Sequence, residues 1–298
     1  MNLTLSTAPS LRVVLIGAGK VGTAVAEMLR RGGHDIVGVA SRTTRSARTG
    51  AERLGAPIFD VTRALPPCDV VLIATNDDAI EEIAGHVARH IEDRTALVCH
   101  FAGSMGTGPL AAVAAAGGRT CAAHPVASCP SVEAALRRLP GCTWGLSGDT
   151  EVRSWAAAIV ERDLGGRAVA VRDEDRPLWH AAAVTAANGV AALMSHGEQL
   201  LAYAGVAQAA GVLGPLCTGV IANVEETGSA DEALTGPVVR GDANTIVRHL
   251  SELQERAPEL VDAYVLTTRL VLASALRSGR LDAPRGRDVQ RALEAAWT

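Results

Sequence analysis

An α/β domain built on a doubly wound parallel sheet, followed by an all-α C-terminal domain, is predicted by three features of this 298-residue sequence. Short β-branched runs alternate with helical stretches through the first half, as strands and crossover helices do in a parallel sheet. The first run ends in a glycine-rich turn that opens a helix. Beyond residue 172 the strand pattern stops and the apolar spacing turns helical. The predicted domains are therefore residues 1–172 and 173–298.

Leu11–Ile16 is a β-branched run that stops at Gly17, as expected of a strand buried on both faces. Val21–Arg31 has helical spacing closed by Gly32-Gly33, and Asp35–Ala40 is the next strand, which makes a strand–helix–strand unit of about 30 residues. Asp69–Ala74 is a further strand, and a helix opens at Asp77-Asp78, where Asp77 suits an N-cap. Ala96–His100, a helix from Pro109 and a strand near Cys121–Ala123 continue the alternation. Trp144–Leu146 and Arg167–Val171 add two short strands. The charged stretch Arg172–Arg176 reads as a hinge, and the helix from Pro177 to Gly205 that follows would be about 40 Å long. Being apolar nearly all round, it needs other helices to enclose it. Later helices are expected at 206–227, at 229–234 with Ser229 and Glu232 spaced as a capping box, at 243–256, at 258–278 and after Gly286.

Hydrophobic residues make up 48% of the chain and charged ones 20%, an ordinary globular composition. The formal charge is −4 and the arginines are scattered, which argues against nucleic acid as a partner. Lys20 is the single lysine, so lysine-based acid, base or Schiff-base chemistry is excluded elsewhere. Six cysteines without a C-x-x-C pair, and an N-terminus without a secretory pattern, point to a reducing, cytoplasmic setting. The apolar stretch Ala181–Met194 is interrupted by Thr185, Asn188 and Gly189 and falls short of the roughly 20 residues of a bilayer span, so no membrane segment is expected.

Gly17-Ala18-Gly19-Lys20-Val21-Gly22 is a G-x-G-x-x-G pattern, and it sits between a strand and a helix, where that pattern has a mechanism. The first glycine permits the turn, the second lets the backbone approach a pyrophosphate, and the third lets helix and strand pack. This is the fingerprint of a Rossmann dinucleotide site; the alternative is a glycine turn without a ligand. An NAD site wants an acid at the end of the second strand, but the chain there reads Ser41-Arg42-Thr43-Thr44-Arg45. Ser41 and Thr43 can bond a 2′-phosphate and Arg42 or Arg45 can neutralise it, so NADP (NADPH) is the expected cofactor. Thr75 and Asn76 end the third strand, where a nicotinamide ribose would pass. His100–Ser104 and His124–Ser128 follow strands at the same sheet edge.

These segments, with His180–Ala183, Asn188 and Leu234–Asp242, resemble in their order a family of Rossmann-like proteins. Its helical C-terminal domain is similar to that of 6-phosphogluconate dehydrogenase. The Thr235-Gly236-Pro237 and Arg240-Gly241-Asp242 segment, with His249 downstream, is the most specific part. More distantly the chain resembles pyrroline-5-carboxylate reductase, ketopantoate reductase and the β-hydroxyacid dehydrogenases. The resemblance implies NADP-linked reduction and a homodimer through the helical domain. The last two relatives use a lysine on the long helix, and here His180 and Asn188 stand instead.

His180 is accordingly the expected proton donor, with Asn188 orienting the same atom and Ser104 and His124 bordering the site. For His180 a buried histidine bonded to backbone, and for Asn188 a helix–helix polar contact, remain open. Arg240 is expected to hold a substrate carboxylate, and Asp242 to fix that loop or to cap the next helix. His100, His124 and His180 lack the spacing of a metal motif, and Ser104 lacks the G-x-S-x-G context of a hydrolase, so no metal and no hydrolysis are expected. The function these residues predict is NADPH-dependent reduction of a small C=O or C=N substrate, of 2-oxo acid or cyclic imine type. A non-catalytic NADP-binding sensor is the alternative.

Overall fold

Residues 10–295 are described by the structure, a computed structural model. Among them β1 (Arg12–Ile16), β2 (Asp35–Ala40), β3 (Val70–Ile73), β4 (Leu97–His100), β5 (Arg119–Pro125), β6 (Thr143–Ser147) and β7 (Arg167–Ala170) form one sheet in the order β2-β1-β3-β4-β5-β6-β7. Successive side chains of a strand point to opposite faces. Val13 and Leu15 therefore join Val70, Leu72 and Cys99 in one core, while Val14 and Ile16 join Val71, Ile73 and Val98 in the other.

The chain passes from β1 to β2 on one side and then from β2 to β3 on the other, so the order reverses beside β1. The crevice at the carboxyl ends of β1 and β3 is thus the place where open sheets of this kind bind ligands. The first five strands pair in parallel, but β5 and β6 are antiparallel, and β7 follows β6. The doubly wound parallel sheet expected from the sequence is therefore present, with β5 and β6 as its one antiparallel pair among the described residues. The helix between β5 and β6 has 7 residues, a rise of about 10 Å, and does not return the chain to the opposite edge.

The helices around the sheet are α1 (Lys20–Arg31), α2 (Thr44–Leu54), α3 (Ile80–His90), α4 (Ala111–Ala115), α5 (Val132–Arg138) and α6 (Thr150–Arg162). Asp77 does not cap α3: it lies within a short 3-10 turn, Asp77–Ala79, that leads into it.

There follow α7 (Arg176–Tyr203), α8 (Ala209–Thr227), α9 (Pro237–Arg240), α10 (Ala243–Arg256), α11 (Val261–Arg277) and α12 (Ala283–Glu294). The first compact unit extends to Ala187 and the second begins at Asn188. The core of the second comes from α9–α12, with Val238, Ile246, Leu250, Val265, Leu272, Val289 and Leu293 at its centre.

No helix forms at 229–234. The segment is a turn in which Ser229 accepts only a long bond, 3.4 Å, from Glu232 N–H. Arg280 gathers the carbonyls of Asp231, Glu232 and Leu234, which holds them out of a helical ladder. The one-turn α9 forms instead, between Gly236 at φ +99° and Gly241 at φ +70°. α8 starts at Ala209 because Gln208 is left-handed, and α12 starts before Gly286 because Asp282 caps it.

Candidate functional site

The turn after β1 is shaped by what a side chain would strike. A Cβ on Gly17, which sits at φ +99°, would lie 2.5 Å from the carbonyl carbon and oxygen of Ala74 at the end of β3. One on Gly22 would lie 2.4 Å from the Ala74 side chain, so α1 seats directly on the strand end. Above Gly19 there is space, the nearest atom being the Ala74 oxygen at 3.9 Å. Gly19 is the N-cap of α1, and the first-turn N–H groups of Lys20, Val21 and Gly22 are those a helix leaves without internal partners. A phosphate fits this cradle both sterically and electrostatically.

Beyond β2, Ser41 is half-buried while Arg42, Thr43 and Arg45 are exposed. Thr43 caps α2, its hydroxyl accepting from Ser46 N–H at 3.1 Å and donating to the Ser46 hydroxyl at 2.9 Å. Arg42 and Arg45 form no ion pair among the described residues, and neither does Arg48, three residues on from Arg45 on α2. Arg48 was not singled out from the sequence; reading the helical period of 44–54 would have placed it. At the end of β3, Thr75 is half-buried and Asn76 exposed.

The loop after β4 is fixed from several directions. His100 is fully buried and donates from Nε2 to the Gly106 carbonyl at 2.8 Å, while its Nδ1 accepts from Ala102 N–H at 3.2 Å. Burial holds its pKa below the ordinary histidine value, and both nitrogens are used, so His100 is an architectural residue. Asp173, just before α7, accepts from the Thr107 N–H and hydroxyl at 2.9 and 2.7 Å.

Between these anchors, the loop brings Gly103 against two imidazoles. A Cβ on Gly103 would lie 2.2 Å from His180 Nδ1 and 2.9 Å from His124 Nε2. The two rings stand edge to face, with centroids 5.3 Å apart at 84°. Desolvation, with smaller contributions from His180 and Arg176, lowers the His124 pKa to about 4. Ser104 follows Gly103, is partly buried and forms no side-chain hydrogen bond among the described residues.

Behind the pair lies a residue the sequence marked only as part of a hinge. Arg176 is fully buried and donates to the carbonyls of Ala122 and Gly145 at 2.5 and 2.8 Å and to Ser147 Oγ at 2.7 Å, without a carboxylate partner. It fastens the start of α7 to β5 and β6.

Asn188, Arg240 and Asp242 belong to the second unit. Asn188 and Arg240 are exposed. Asp242 is the N-cap of α10, accepting from Thr245 N–H at 3.0 Å and from its hydroxyl at 2.7 Å, which lowers its pKa. His249 bonds the Tyr264 hydroxyl at 2.7 Å, and both line a cavity of about 310 Å³ with Tyr203 and Arg256. Among the described residues, no cluster of His, Cys, Asp or Glu is arranged for a metal, and no helix is long and apolar enough to cross a membrane.

Comparison with known proteins meets this geometry. Residues 4–125 match the model of a Rossmann-like domain, and residues 142–271 match a domain of unknown function, DUF2520. The two matches follow one another along the chain. A Bacteroides fragilis protein assigned as an NADP oxidoreductase is 26% identical to this chain, covering 88% of it and 98% of itself at a TM-score of 0.73. Protein TM1727 of Thermotoga maritima is 25% identical, covering 90% and 100% at 0.70. An imine reductase from Myxococcus stipitatus, solved with NADP+, shares the fold at 16% identity, covering 90% and 95% at 0.64. The search of curated proteins gives no match.

Proposed function

We propose that this chain is an NADPH-dependent oxidoreductase that reduces a small C=O or C=N compound. The observation that carries the reading is the cradle at the reversal of strand order: Gly17, Gly19 and Gly22 clear the way for a pyrophosphate, and the unpaired guanidiniums of Arg42 and Arg45 follow β2. The relation to the Bacteroides fragilis protein supports the same chemistry. Gly19, Lys20, Val21 and Gly22 hold the pyrophosphate by backbone N–H groups, Ser41, Arg42 and Arg45 the 2′-phosphate, and Thr75 and Asn76 border the nicotinamide half. When bound, the dinucleotide supplies a hydride.

The chain's own residues then position the acceptor and deliver a proton. His180 serves as the proton donor, with His124 beside it and Ser104 at the rim. The pairing of His124 with His180 over Gly103 favours the reductase over a non-catalytic sensor. Two copies associate through the helical domain, because α8 buries none of its own residues and leaves Leu216 63% exposed. The six cysteines, all free, suit a reducing cytoplasm.

Titration with NADPH and NADH tests the cofactor assignment. NADPH is expected to bind at least about tenfold more tightly, and Arg42→Ala with Arg45→Ala to abolish the preference while NADH affinity holds. Equal affinity of the unmodified protein for both would sink it.

A further inference from the structure

We propose that Trp179 is a positioning residue that fixes His124 as an Nε2–H donor, and that the site so formed takes a carbonyl oxygen in preference to an iminium nitrogen. This deepens, and rests on, the reductase reading above.

Trp179 Nε1 reaches His124 Nδ1 at 3.0 Å. An indole nitrogen can only donate, so His124 Nδ1 must accept, and the single proton of the neutral ring is confined to Nε2. That is the nitrogen that converges with His180 Nδ1 on Gly103. Three features of the fold build the arrangement. The antiparallel pairing of β5 with β6 sets Gly145 opposite His124. Gly145 leaves the opening that the indole fills, since a Cβ there would lie 2.7 Å from Trp179 Cε2. Arg176, one helical turn before Trp179 and His180, holds the start of α7 against the same strands.

The groups around His124 are the His180 imidazole, the Trp179 indole and the Arg176 guanidinium from α7, with Gly145 from β6 and Gly103 from the loop after β4. None carries negative charge. The nearby carboxylate of Asp173 is bonded to Thr107. A fixed neutral N–H donor matches a carbonyl lone pair and strengthens as that oxygen becomes negative. An iminium nitrogen has no lone pair to accept that bond, and its positive charge faces a buried guanidinium.

In carbonyl reduction the carbon gains a hydride, the π electron pair moves onto oxygen, and the oxygen gains one proton. The reduced dinucleotide, oxidised in the process, is the reductant. His124 Nε2–H holds the oxygen and keeps its proton, because loss of the only proton of a neutral imidazole would leave an imidazolate; the oxygen's proton is relayed by His180, which gives one from one ring nitrogen as it takes one from solvent at the other.

The test is ¹⁵N imidazole NMR of the full chain, with the His124 signals assigned by their loss in His124→Gln, together with NADPH oxidation by 2-oxo acids and ketones set against cyclic imines. His124 is expected to remain the neutral Nε2–H tautomer from about pH 8 down to about pH 5. In Trp179→Phe it should populate both tautomers and titrate at higher pH, with kcat on carbonyls falling about 10- to 100-fold at nearly unchanged NADPH affinity. Trp179→Gln, which keeps an N–H donor, should recover part of both effects. A His124 proton on Nδ1 in the unmodified protein, or ordinary titration there, would overturn the role of Trp179. Reduction of imines faster than carbonyls would overturn the substrate class. Failure to bind NADPH would remove the reductase reading and the carbonyl assignment together, while the tautomer measurement would still decide Trp179.

Discussion

Four of the five residues of β1 are at most 2% exposed, whereas the 28 residues of α7 and the 19 of α8 bury one side chain between them, Arg176. That one residue is committed to the sheet. A central strand has both faces covered by its own chain, and its burial is complete in one copy. A long helix that is apolar on most faces has no such guarantee, and its surface is satisfied only when other helices surround it. The contrast separates a part of the molecule whose apolar surface is covered within one copy from a part that leaves apolar side chains such as Leu216 exposed.

Three measurements would break or sharpen that contrast. The largest effect is expected from Arg176→Met, which leaves two buried carbonyls and a buried hydroxyl without their donor and should cost about 3 kcal/mol in urea unfolding. A loss under about 0.5 kcal/mol would show that the sheet does not depend on this clamp.

A somewhat smaller effect follows from His124, whose pKa falls from 6.5 to about 4 in the folded state. The folded chain then binds fewer protons than the unfolded one between those values. This stability is fully present above pH 6.5 and is lost progressively as pH falls towards about 4, a change on the order of 2–3 kcal/mol. His100 acts in the same direction. Unfolding free energies at pH 7.5 and 5 should differ less in His124→Gln; an unchanged difference would assign the slope to other groups.

The smallest effect on the first unit is expected from Leu216→Glu on α8. It should convert a dimer to a monomer by light scattering while the unfolding of the sheet domain moves by no more than about 0.5 kcal/mol. A native monomer at micromolar concentration would refute the association outright.

Much of the first unit was legible because its signals are local. A β-branched run, three spaced glycines and a helical period lie within 20 residues, and the steric reasons for Gly17 and Gly22 are those the pattern implies. Strand direction is not local: nothing within Thr143–Ser147 says that it opposes β5. Trp179 stands beside His180 in sequence, but its partner is 55 residues away, so its part emerges only from the fold. The turn at 229–234 carries a plausible capping box, and Arg280, more than 45 residues on, overrides it. Asp242 had two readings from sequence, and its cap on α10 is the one the hydrogen bonds display.

Lys20 stands exposed at the first position of α1, within the glycine turn, and every other basic side chain apart from histidine is a guanidinium. Guanidiniums stay protonated and do not react with acylating reagents near neutral pH. Amine-directed labelling therefore has one side-chain address on this molecule, and it lies at the cradle. A dye, a biotin or an isotopic acetyl group carried on a side-chain amine would thus sit at one known position. Protection of that single peptide in a mass spectrum would count how many molecules in a mixture carry a ligand over the turn.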